Sequence, residues 1–596
     1  MSVKDVAKKS PLFHPCSRRF HLILLLGLGF CCTTFMRMHL AITMTCMVNS
    51  TAVSLLEEEI YYPEHFNSSS NYNLIEQPNV SIIIKKLNPN GPPNQECEKR
   101  AEDGHTIVVD YGGTLIWSHQ MQNFIFSGTF WGALLVVGPS TLVYHRCSPR
   151  LLLIAAVGLY IVSTVVTPLL AKRTGPTSVF MARVFMGFGE GFVIPSINAL
   201  IANWFPVEEK STVLALYTTG NQFAGAVGNP IAAAFCASSF GWPAVFYFIA
   251  IVATIWCVLW IFSSSDQPRK CKWMTVRERE YLTEKVVHRS NRANKATSVP
   301  YAKMVTSPAF LAQLLCFFIT NVTMTLFHFY VPSFLKDVLY LGVIANGTFS
   351  ALPNVINFVC KIFWSMLMDK LKVKKVITPT FAVRLSQSVA SFGCAGSFLL
   401  IALLVDCTQT VLALVLFCIM YGTMSGFTSG FYTSLLSLAP RYTGAMSALS
   451  LFAGMLGRLV TPVIVGFVKK TGSLSEWRIL FCMVATLNIV AGIIFLIFGS
   501  GEVQEWGKDD VKEERKKQGV VRIHHFEVLL DGKAASAGDV LTPSIVNKIS
   551  HRQLISSAYL VNRSVQTYLV FRAHILRLCS CSSRCPLSRR HNGRWD

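Results

Sequence analysis

Apolar residues run in long stretches along this chain, and most charged residues lie in the segments between them. A helix that crosses a membrane needs about 20 predominantly apolar residues. Only helices and closed barrels satisfy their backbone hydrogen bonds in lipid, and apolar runs of this length are typical of helices. We therefore predict an all-α membrane protein with twelve transmembrane helices, at residues 20–48, 120–144, 151–171, 178–201, 212–236, 243–263, 309–331, 346–368, 377–405, 410–433, 444–467 and 478–499.

The predicted spans fall into two groups of six, separated by a hydrophilic break. Within the break, residues 273–282 have the pattern of a short amphipathic surface helix. The segment beyond the last span is polar, basic and poorly periodic, which is typical of disorder. The predicted organisation is a cytoplasmic N-terminus, a first six-helix half with one large loop, a cytoplasmic linker, a second six-helix half and a mostly disordered cytoplasmic tail, at residues 1–19, 20–263 (loop 49–117), 264–306, 307–507 and 508–596.

Composition agrees with a membrane protein and excludes other classes. Of the 596 residues, 52% are hydrophobic and 14% are charged, whereas soluble domains carry about 25% charged residues. The net charge of +22 does not indicate nucleic-acid binding, because the basic residues lie mostly in one set of loops and in the tail, where the positive-inside bias and anionic lipid explain them. Most of the 18 cysteines lie singly in apolar spans, where cysteine behaves as a small hydrophobe. The chain has no P-loop, zinc-protease or nucleophile-elbow motif, so we expect no enzyme, cofactor or metal site, and an ion gradient would drive any uphill work.

Basic residues in the short loops predict the orientation. Lysines and arginines concentrate before the first span and after spans two, six and eight, so by the positive-inside rule both termini are cytoplasmic. The large loop falls on the opposite side and contains three N-x-[ST] glycosylation triplets, at Asn49, Asn67 and Asn79. We expect a multi-pass protein of the plasma membrane or of an endolysosomal or vesicular membrane.

One acid, Glu190, lies near the middle of an apolar span. A charged side chain at mid-bilayer costs about 2.5–3.5 kcal/mol by insertion scales, so it faces a bundle interior or a water-filled path rather than lipid. Arg183 precedes it by seven residues, which places the two on one helix face but about 10 Å apart along the axis, too far for a direct ion pair. We predict that they are two separate charged groups on one polar helix face. They belong either to a transport path or to a structural charge network.

Cations outnumber acids inside the spans. Glu190 is the single embedded acid, and the embedded cations are Arg37, Arg183 and Arg458. Surplus guanidinium groups favour a carboxylate or phosphate ligand, which arginine binds through a bidentate fork. The sequence leaves Arg458 open between a structural and a functional role. It leaves His39 and His328 open between cavity-wall residues and proton carriers.

Several short motifs resemble one transporter family. The run RVFMGFGEG at residues 183–191 is followed by WFPVEEKS at residues 204–211. Further matches in the family's order are FWG, GWPAVFY, SALP, APRY, EWR and SGEVQEW, at residues 130–132, 241–247, 350–353, 439–442, 476–478 and 500–506. The layout of six plus six spans resembles the major facilitator superfamily. Within it, the motifs are similar over about residues 20–507 to the anion:cation symporter family, which includes sialin, the vesicular glutamate transporters and the type I sodium/phosphate cotransporters.

The resemblance implies a fold and roles for individual residues. It implies a substrate site near the bilayer midplane between the two halves, lined by spans one, four, seven and ten. Glu190 is the candidate for proton coupling, and the candidate substrate-binding residues are Arg37, Arg183, Asn321 and Tyr432. The chain departs from the family where His39 replaces an asparagine. It also departs from the glutamate transporters at Thr320, which aligns with their arginine; the neighbouring Asn321 resembles sialin instead.

Together these observations predict secondary active transport. The expected partners are a small organic or inorganic anion as substrate, H⁺ or Na⁺ as the coupled ion in an alternating-access cycle, and membrane lipid, with no nucleic acid. A sodium-dependent phosphate cotransporter is an alternative in the same class, and a sensor or scaffold of transporter fold that moves no solute is an alternative of another class. Because Asn321 is neutral, a second substrate carboxylate would lose most of its desolvation compensation, so monoanions should bind better than glutamate or aspartate.

Overall fold

The computed structural model describes residues 14, 17–54, 109–144, 147–205, 207–268, 271, 274–282, 299–439, 442–470 and 472–507, and this part of the chain is almost entirely α-helical. Every predicted span overlaps one long helix, so the expected all-α architecture is confirmed. The long helices are α1 (Arg18–Met47), α2 (His119–Tyr144), α3 (Pro149–Arg173), α4 (Pro176–Trp204), α5 (Val207–Ala237), α6 (Pro243–Ser263), α7 (Pro308–Asp337), α8 (Val343–Val373), α9 (Pro379–Leu404), α10 (Thr410–Leu438), α11 (Thr443–Val468) and α12 (Leu474–Phe498). The predicted tail and most of the large loop lie outside the described residues.

Ten of these helices are long and apolar enough to cross a membrane by length and composition. The other two, α2 and α5, are 26 and 31 residues long and are interrupted by glycines and polar residues. Both contact the two halves of the molecule: α2 packs against α4 and α11, and α5 packs against α1 and α8. Small and polar residues allow close helix contacts within lipid, in agreement with the packing of α2 and α5 against helices of both halves.

Glycines bring α2 and α4 into backbone contact. Gly128 and Gly132 on α2, and Gly187 and Gly191 on α4, have the four-residue spacing of a small-xxx-small packing motif. A Cβ atom at Gly132 would lie 2.0 Å from a backbone oxygen of α4, and one at Gly187 would lie 2.2 Å from a backbone oxygen of α2. No side chain fits between the helices at these points. The contact therefore fixes the position of α4, which carries Glu190.

Ion pairs anchor the linker to the first half. They lie on the terminal side, defined here as the side at which α1 begins and α12 ends. Arg19 is fully buried, and its guanidinium pairs with Glu209 of α5 at 2.5 Å and with Glu278 of the short linker helix Val276–Leu282 at 3.1 Å. Glu278 also accepts a hydrogen bond from the Ser17 hydroxyl at 2.9 Å. The predicted surface helix thus has a buried face, and its Glu278 carboxylate anchors that face to α1.

The two halves touch on the opposite side, which is called the loop side because the large loop joins α1 to α2 there. Lys336, at the end of α7, is buried and donates to the Thr45 carbonyl oxygen at 3.0 Å and to the Ser50 hydroxyl at 2.5 Å. Its ammonium also lies 4.8 Å from the ring centroid of Tyr111. The Tyr111 hydroxyl donates to the Leu341 carbonyl oxygen, and burial raises the pKa of this phenol, so it remains a neutral donor.

A disulfide joins the loop-side ends of α1 and α5. It links Cys46 to Cys236, which are 190 residues apart in sequence and have a Cα–Cα distance of 6.2 Å. The sequence-based view of the span cysteines as small hydrophobes is wrong for this pair. The two residues lie in separate helices at the same depth, and no spacing within one helix could have indicated that they meet.

Candidate functional site

Glu190 accepts hydrogen bonds from side chains of three other helices. Its Oε1 accepts from Arg37 Nη1 on α1, and from Arg458 Nη1 on α11 at 3.2 Å. Its Oε2 accepts from the Tyr160 hydroxyl on α3. The Glu190 side chain is 6% exposed. Two guanidinium groups and a hydroxyl compensate the buried charge, which allows a carboxylate to lie inside a membrane-spanning helix.

Arg458 extends this hydrogen-bonded group to α7. Its Nε donates to Asn321 Oδ1 at 2.9 Å, and Asn321 Nδ2 donates in turn to the Phe317 carbonyl oxygen at 2.8 Å. Glycine again permits the approach, because a Cβ atom at Gly457 would lie 2.4 Å from a backbone oxygen of α7. Five residues from five helices of both halves therefore form one group, called the central cluster: Arg37, Tyr160, Glu190, Asn321 and Arg458.

The two arginines of the central cluster are only partly bonded. Among the described residues, Nε and Nη2 of Arg37 and Nη2 of Arg458 have no hydrogen-bond acceptor. The Arg37 and Arg458 side chains are 10% and 23% exposed, so these nitrogens are not sealed from solvent. A guanidinium binds carboxylate and phosphate best through two parallel N–H donors. These free N–H groups can therefore donate hydrogen bonds to an anion that enters from solution.

Arg183 lies outside the central cluster. Its Nη1 donates to the Met36 carbonyl oxygen at 3.3 Å and lies 3.4 Å from the Met186 sulfur. Its Nε and Nη2 are buried and have no hydrogen-bond partner, and the residue is 1% exposed. No hydrogen bond or ion pair joins it to Glu190, in agreement with the axial separation that the seven-residue spacing predicts.

Neither of the two candidate histidines has a hydrogen bond to the central cluster among the described residues. His39 Nδ1 donates to a carbonyl oxygen of the preceding turn at 2.9 Å, and its Nε2 is buried without a partner. His328 Nε2 lies 2.9 Å from the Tyr421 hydroxyl. Within the described residues, no group of three or more His, Cys, Asp or Glu side chains is placed to hold a metal ion.

Tyr432 lies at the end of a π-helical turn, Thr428–Tyr432, in α10. Gly430 has a non-helical ψ of −111°, and the neighbouring Phe431 N–H donates to Gln387 Oε1 at 3.3 Å. The Tyr432 ring stacks on Phe431 with centroids 4.7 Å apart and is 44% exposed. Because π turns are frequent at functional sites, the irregularity is consistent with the predicted role of this tyrosine, although it makes no hydrogen bond to the central cluster.

Sequence reasoning missed two residues that the structure brings into play. Tyr160 is a lone tyrosine in a strongly apolar span, and nothing in the sequence shows that its hydroxyl meets Glu190. Lys336 ends an apolar run, where lysine usually snorkels to the membrane surface, yet here it is buried between the halves. Both assignments depend on how helices rotate against each other.

The structure describes one of the three predicted glycosylation sites. Asn49 follows α1, and its side-chain oxygen accepts from the Ala52 backbone N–H at 2.9 Å. Asn67 and Asn79 lie outside the described residues. Glycosylation therefore stays a prediction.

Comparisons with known families and proteins point to one class of protein, membrane transporters. The family model described as Major Facilitator Superfamily matches residues 26–462. The uncharacterized transporter slc-17.3 of Caenorhabditis elegans is 51% identical over 529 residues, which cover 88% of this chain and 96% of that protein. Sialin of Ovis aries is 27% identical over 501 residues, which cover 84% of this chain and 93% of sialin. The resemblance to this group of transporters is confirmed.

Solved structures support the same fold. The crystal structure of a D-xylose-proton symporter matches with a TM-score of 0.54 at 14% identity, covering 82% of this chain and all of that chain. At this identity the match supports only the fold, two six-helix halves. The relatives are transporters rather than enzymes, so the expectation of a membrane transporter is confirmed. With a family match across most of its length and a relative at 51% identity over nearly all of it, the chain belongs to the Major Facilitator Superfamily.

Proposed function

We propose that the protein is a secondary active transporter of a small organic or inorganic anion, coupled to H⁺ or Na⁺, and that the central cluster is its substrate and coupling site. The observation that carries this proposal is the meeting of Arg37 and Arg458, one from each half, on the single carboxylate of Glu190. Substrates of such folds bind between the halves, where each half can contribute contacts. The proposal extends to Asn321 and Tyr432 as neutral neighbours of the substrate.

Charge favours an anionic substrate. Arg37 and Arg458 together carry two positive charges, and Glu190 supplies one negative charge. Arg183 adds a buried cation with no acid partner among the described residues. Unbalanced cations are costly in a low-dielectric interior, so a bound carboxylate or phosphate would lower this cost.

The same carboxylate can couple transport to an ion gradient. A proton on Glu190 would remove its negative charge and weaken its attraction for Arg37 and Arg458. A proton and a monovalent anion could then enter together without changing the net charge of the cluster. Under Na⁺ coupling, the ionised carboxylate would instead be the group that attracts the cation.

The two halves contact each other through hydrogen bonds that can break and form again. On the loop side, Lys336 and Tyr111 hold the halves together through hydrogen bonds. Between α5 and α8 the halves meet through Gln222 and Asn357, whose side chains hydrogen-bond at 3.1 Å. Alternating access requires such bonds to exchange with water as the substrate site opens to one side and then to the other.

Asn321 of the central cluster and its sequence neighbour Thr320 are neutral, which favours a single negative charge on the substrate. Thr320 and Asn321 are 7% and 8% exposed, and neither can offset a second carboxylate by charge. We expect sugar acids, simple carboxylates or phosphate to compete better than glutamate and aspartate. A competition panel in proteoliposomes tests this. Glutamate as the tightest competitor would contradict it.

Ion-driven uptake tests the function itself. Purified protein in proteoliposomes is offered labelled inorganic phosphate, glucuronate or lactate under an imposed H⁺ or Na⁺ gradient. We expect one of these anions to accumulate, whereas a sensor or scaffold would accumulate none. If Glu190 carries the coupling proton, Glu190→Gln abolishes accumulation but keeps anion exchange. Glu502→Gln is the matched control and should transport normally, because Glu502 is exposed on the terminal side.

Arg183 belongs to the proposal because its two sealed nitrogens lack acceptors, which buried polar groups normally have. Its loss would remove charge-assisted contacts worth about 1.5–3 kcal/mol each. Arg183→Lys keeps the charge without the fork, so weak residual transport is expected, and Arg183→Ala should be inactive. Wild-type affinity in Arg183→Ala would instead assign the residue to packing alone.

A further inference from the structure

Arg458 is the most exposed charged residue of the central cluster. Its side chain is 23% exposed, compared with 10% for Arg37 and 6% for Glu190. Asn321 holds its Nε at 2.9 Å, and Glu190 accepts from its Nη1 at 3.2 Å. Its Nη2 has no acceptor among the described residues. The guanidinium is therefore oriented by one neutral partner and retains an unused donor beside the one that contacts Glu190.

The Glu190 carboxylate holds each arginine through a single N–H donor. Both arginines share its Oε1, while its Oε2 accepts from Tyr160. A strong arginine–carboxylate pair uses two parallel N–H donors on two oxygens, and neither Arg37 nor Arg458 achieves this here. A second anionic group would complete the coordination of Arg458 through Nη1 and Nη2.

We propose that Arg458 binds the anionic group of the substrate, and that the Glu190 carboxylate occupies this place while no substrate is bound. This inference rests on the proposed function. When hydronium transfers a proton to Glu190, one O–H bond of hydronium breaks and leaves water, and an O–H bond forms on the carboxyl group. The charge attraction of Glu190 for Arg458 is then lost. A substrate carboxylate or phosphate then accepts from Nη1 and Nη2. One proton enters with one negative charge, so the cluster keeps its net charge.

The exchange acts across the interface between the halves. Glu190 belongs to α4 in the first half and Arg458 to α11 in the second, so their contact is an internal ionic link between the halves. The substrate replaces this link with one that it makes itself, to Arg458 on one side and to the free donors of Arg37 on the other. Arg458 is thereby a substrate-binding residue that the lining by spans one, four, seven and ten does not include.

Anion binding to the purified full-length protein tests the inference. The shift in thermal unfolding is measured in detergent against concentration of inorganic phosphate and of glucuronate, at acidic and at neutral pH. The variants are Glu190→Gln, Arg458→Gln, Arg458→Lys and the double variant Glu190→Gln/Arg458→Gln. Arg384→Gln is the matched control, because Arg384 lies in α9 of the same half and donates to backbone oxygens near the end of α12.

Wild-type protein should bind the anion more tightly at acidic pH. Glu190→Gln should bind it as tightly at neutral pH as at acidic pH, because its amide cannot hold Arg458 by charge. Arg458→Gln should weaken binding about 10- to 100-fold, the loss expected for one charge-assisted contact, and Arg458→Lys should fall between. Arg384→Gln should bind like wild type.

Two results would overturn the inference while leaving the proposed function intact. One is wild-type affinity in Arg458→Gln. The other is restored affinity in the double variant, which would show that Arg458 serves only to balance the charge of Glu190. If Arg458→Gln does not fold, wild-type affinity in Arg458→Lys at both pH values decides against the inference. If neither anion binds wild type and none is taken up, the proposed function fails and this inference fails with it.

Discussion

Alanine at Gly187 should separate α2 from α4. A Cβ atom there would lie 2.2 Å from the Thr129 carbonyl oxygen and 2.8 Å from the Gly132 Cα, both of them backbone atoms that cannot rotate away. Ordinary van der Waals contact begins at 3.4 Å. The two helices must therefore move apart locally by roughly 1 Å, which is overpacking of a tightly packed contact.

The energetic effect of Gly187→Ala has two parts of opposite sign. Overpacking typically costs about 1–3 kcal/mol, and the higher helix propensity of alanine returns up to about 1 kcal/mol. The net effect should be a lower free energy of unfolding. Glu190 lies three residues further along α4, so the same displacement should also disturb its hydrogen bonds to Arg37 and Tyr160.

Thermal unfolding in detergent and anion uptake in proteoliposomes measure these effects. Gly158→Ala on α3 is the matched control, because a Cβ atom at Gly158 meets nothing within 4 Å. The control should be as stable as wild type or slightly more stable, while Gly187→Ala should unfold at a lower temperature and transport more slowly. Gly187→Ala protein that unfolds and transports like the control would refute the argument from backbone contact.

Three further predictions address the loop side, the central cluster and the large loop. Lys336→Met should open the loop side, so that a cysteine placed at Thr45 reacts faster with a membrane-impermeant thiol reagent; an unchanged rate would contradict this. Tyr160→Phe removes one donor to the central carboxylate and should lower the maximal uptake rate more than the half-saturating anion concentration, and unchanged kinetics would speak against a coupling role. Asn67→Gln with Asn79→Gln should reduce the glycosidase-sensitive mass of the expressed protein, and an identical mass would show that neither asparagine carries a glycan.

Much of the fold could be predicted because a helix that crosses lipid must be a continuous apolar run of the sequence. A span must be apolar over about 20 residues, so its position is visible in the sequence whatever its neighbours are. The same rule made Glu190 and Arg37 conspicuous, because a charge within such a run needs a partner or water. The sequence could therefore identify each of these two residues as a candidate for the site, whereas their contact is visible only in the structure.

The rest of the site depends on helix rotation and depth, which the sequence does not state. The sequence does not decide between a structural and a functional role for Arg458, and its hydrogen bond to Asn321 is possible because Gly457 lets α11 approach α7 closely. Arg183 was expected on the same polar stripe as Glu190, yet its guanidinium turns to a carbonyl oxygen of α1. A long side chain can extend in either direction along the helix axis. Residue spacing therefore fixes the position of its Cβ atom but not that of its terminal charged group.

The disulfide between Cys46 and Cys236 has a consequence for the making of the protein. Disulfides form and persist in oxidising compartments and are rare in the reducing cytosol. A bond at the loop-side ends of α1 and α5 therefore favours a loop side that faces the lumen of the endoplasmic reticulum during synthesis, independently of where basic residues and sequons fall. It also requires the first and fifth helices to be neighbours before oxidation. Because both belong to the first half, the bond can rigidify that half without restraining its motion against the second.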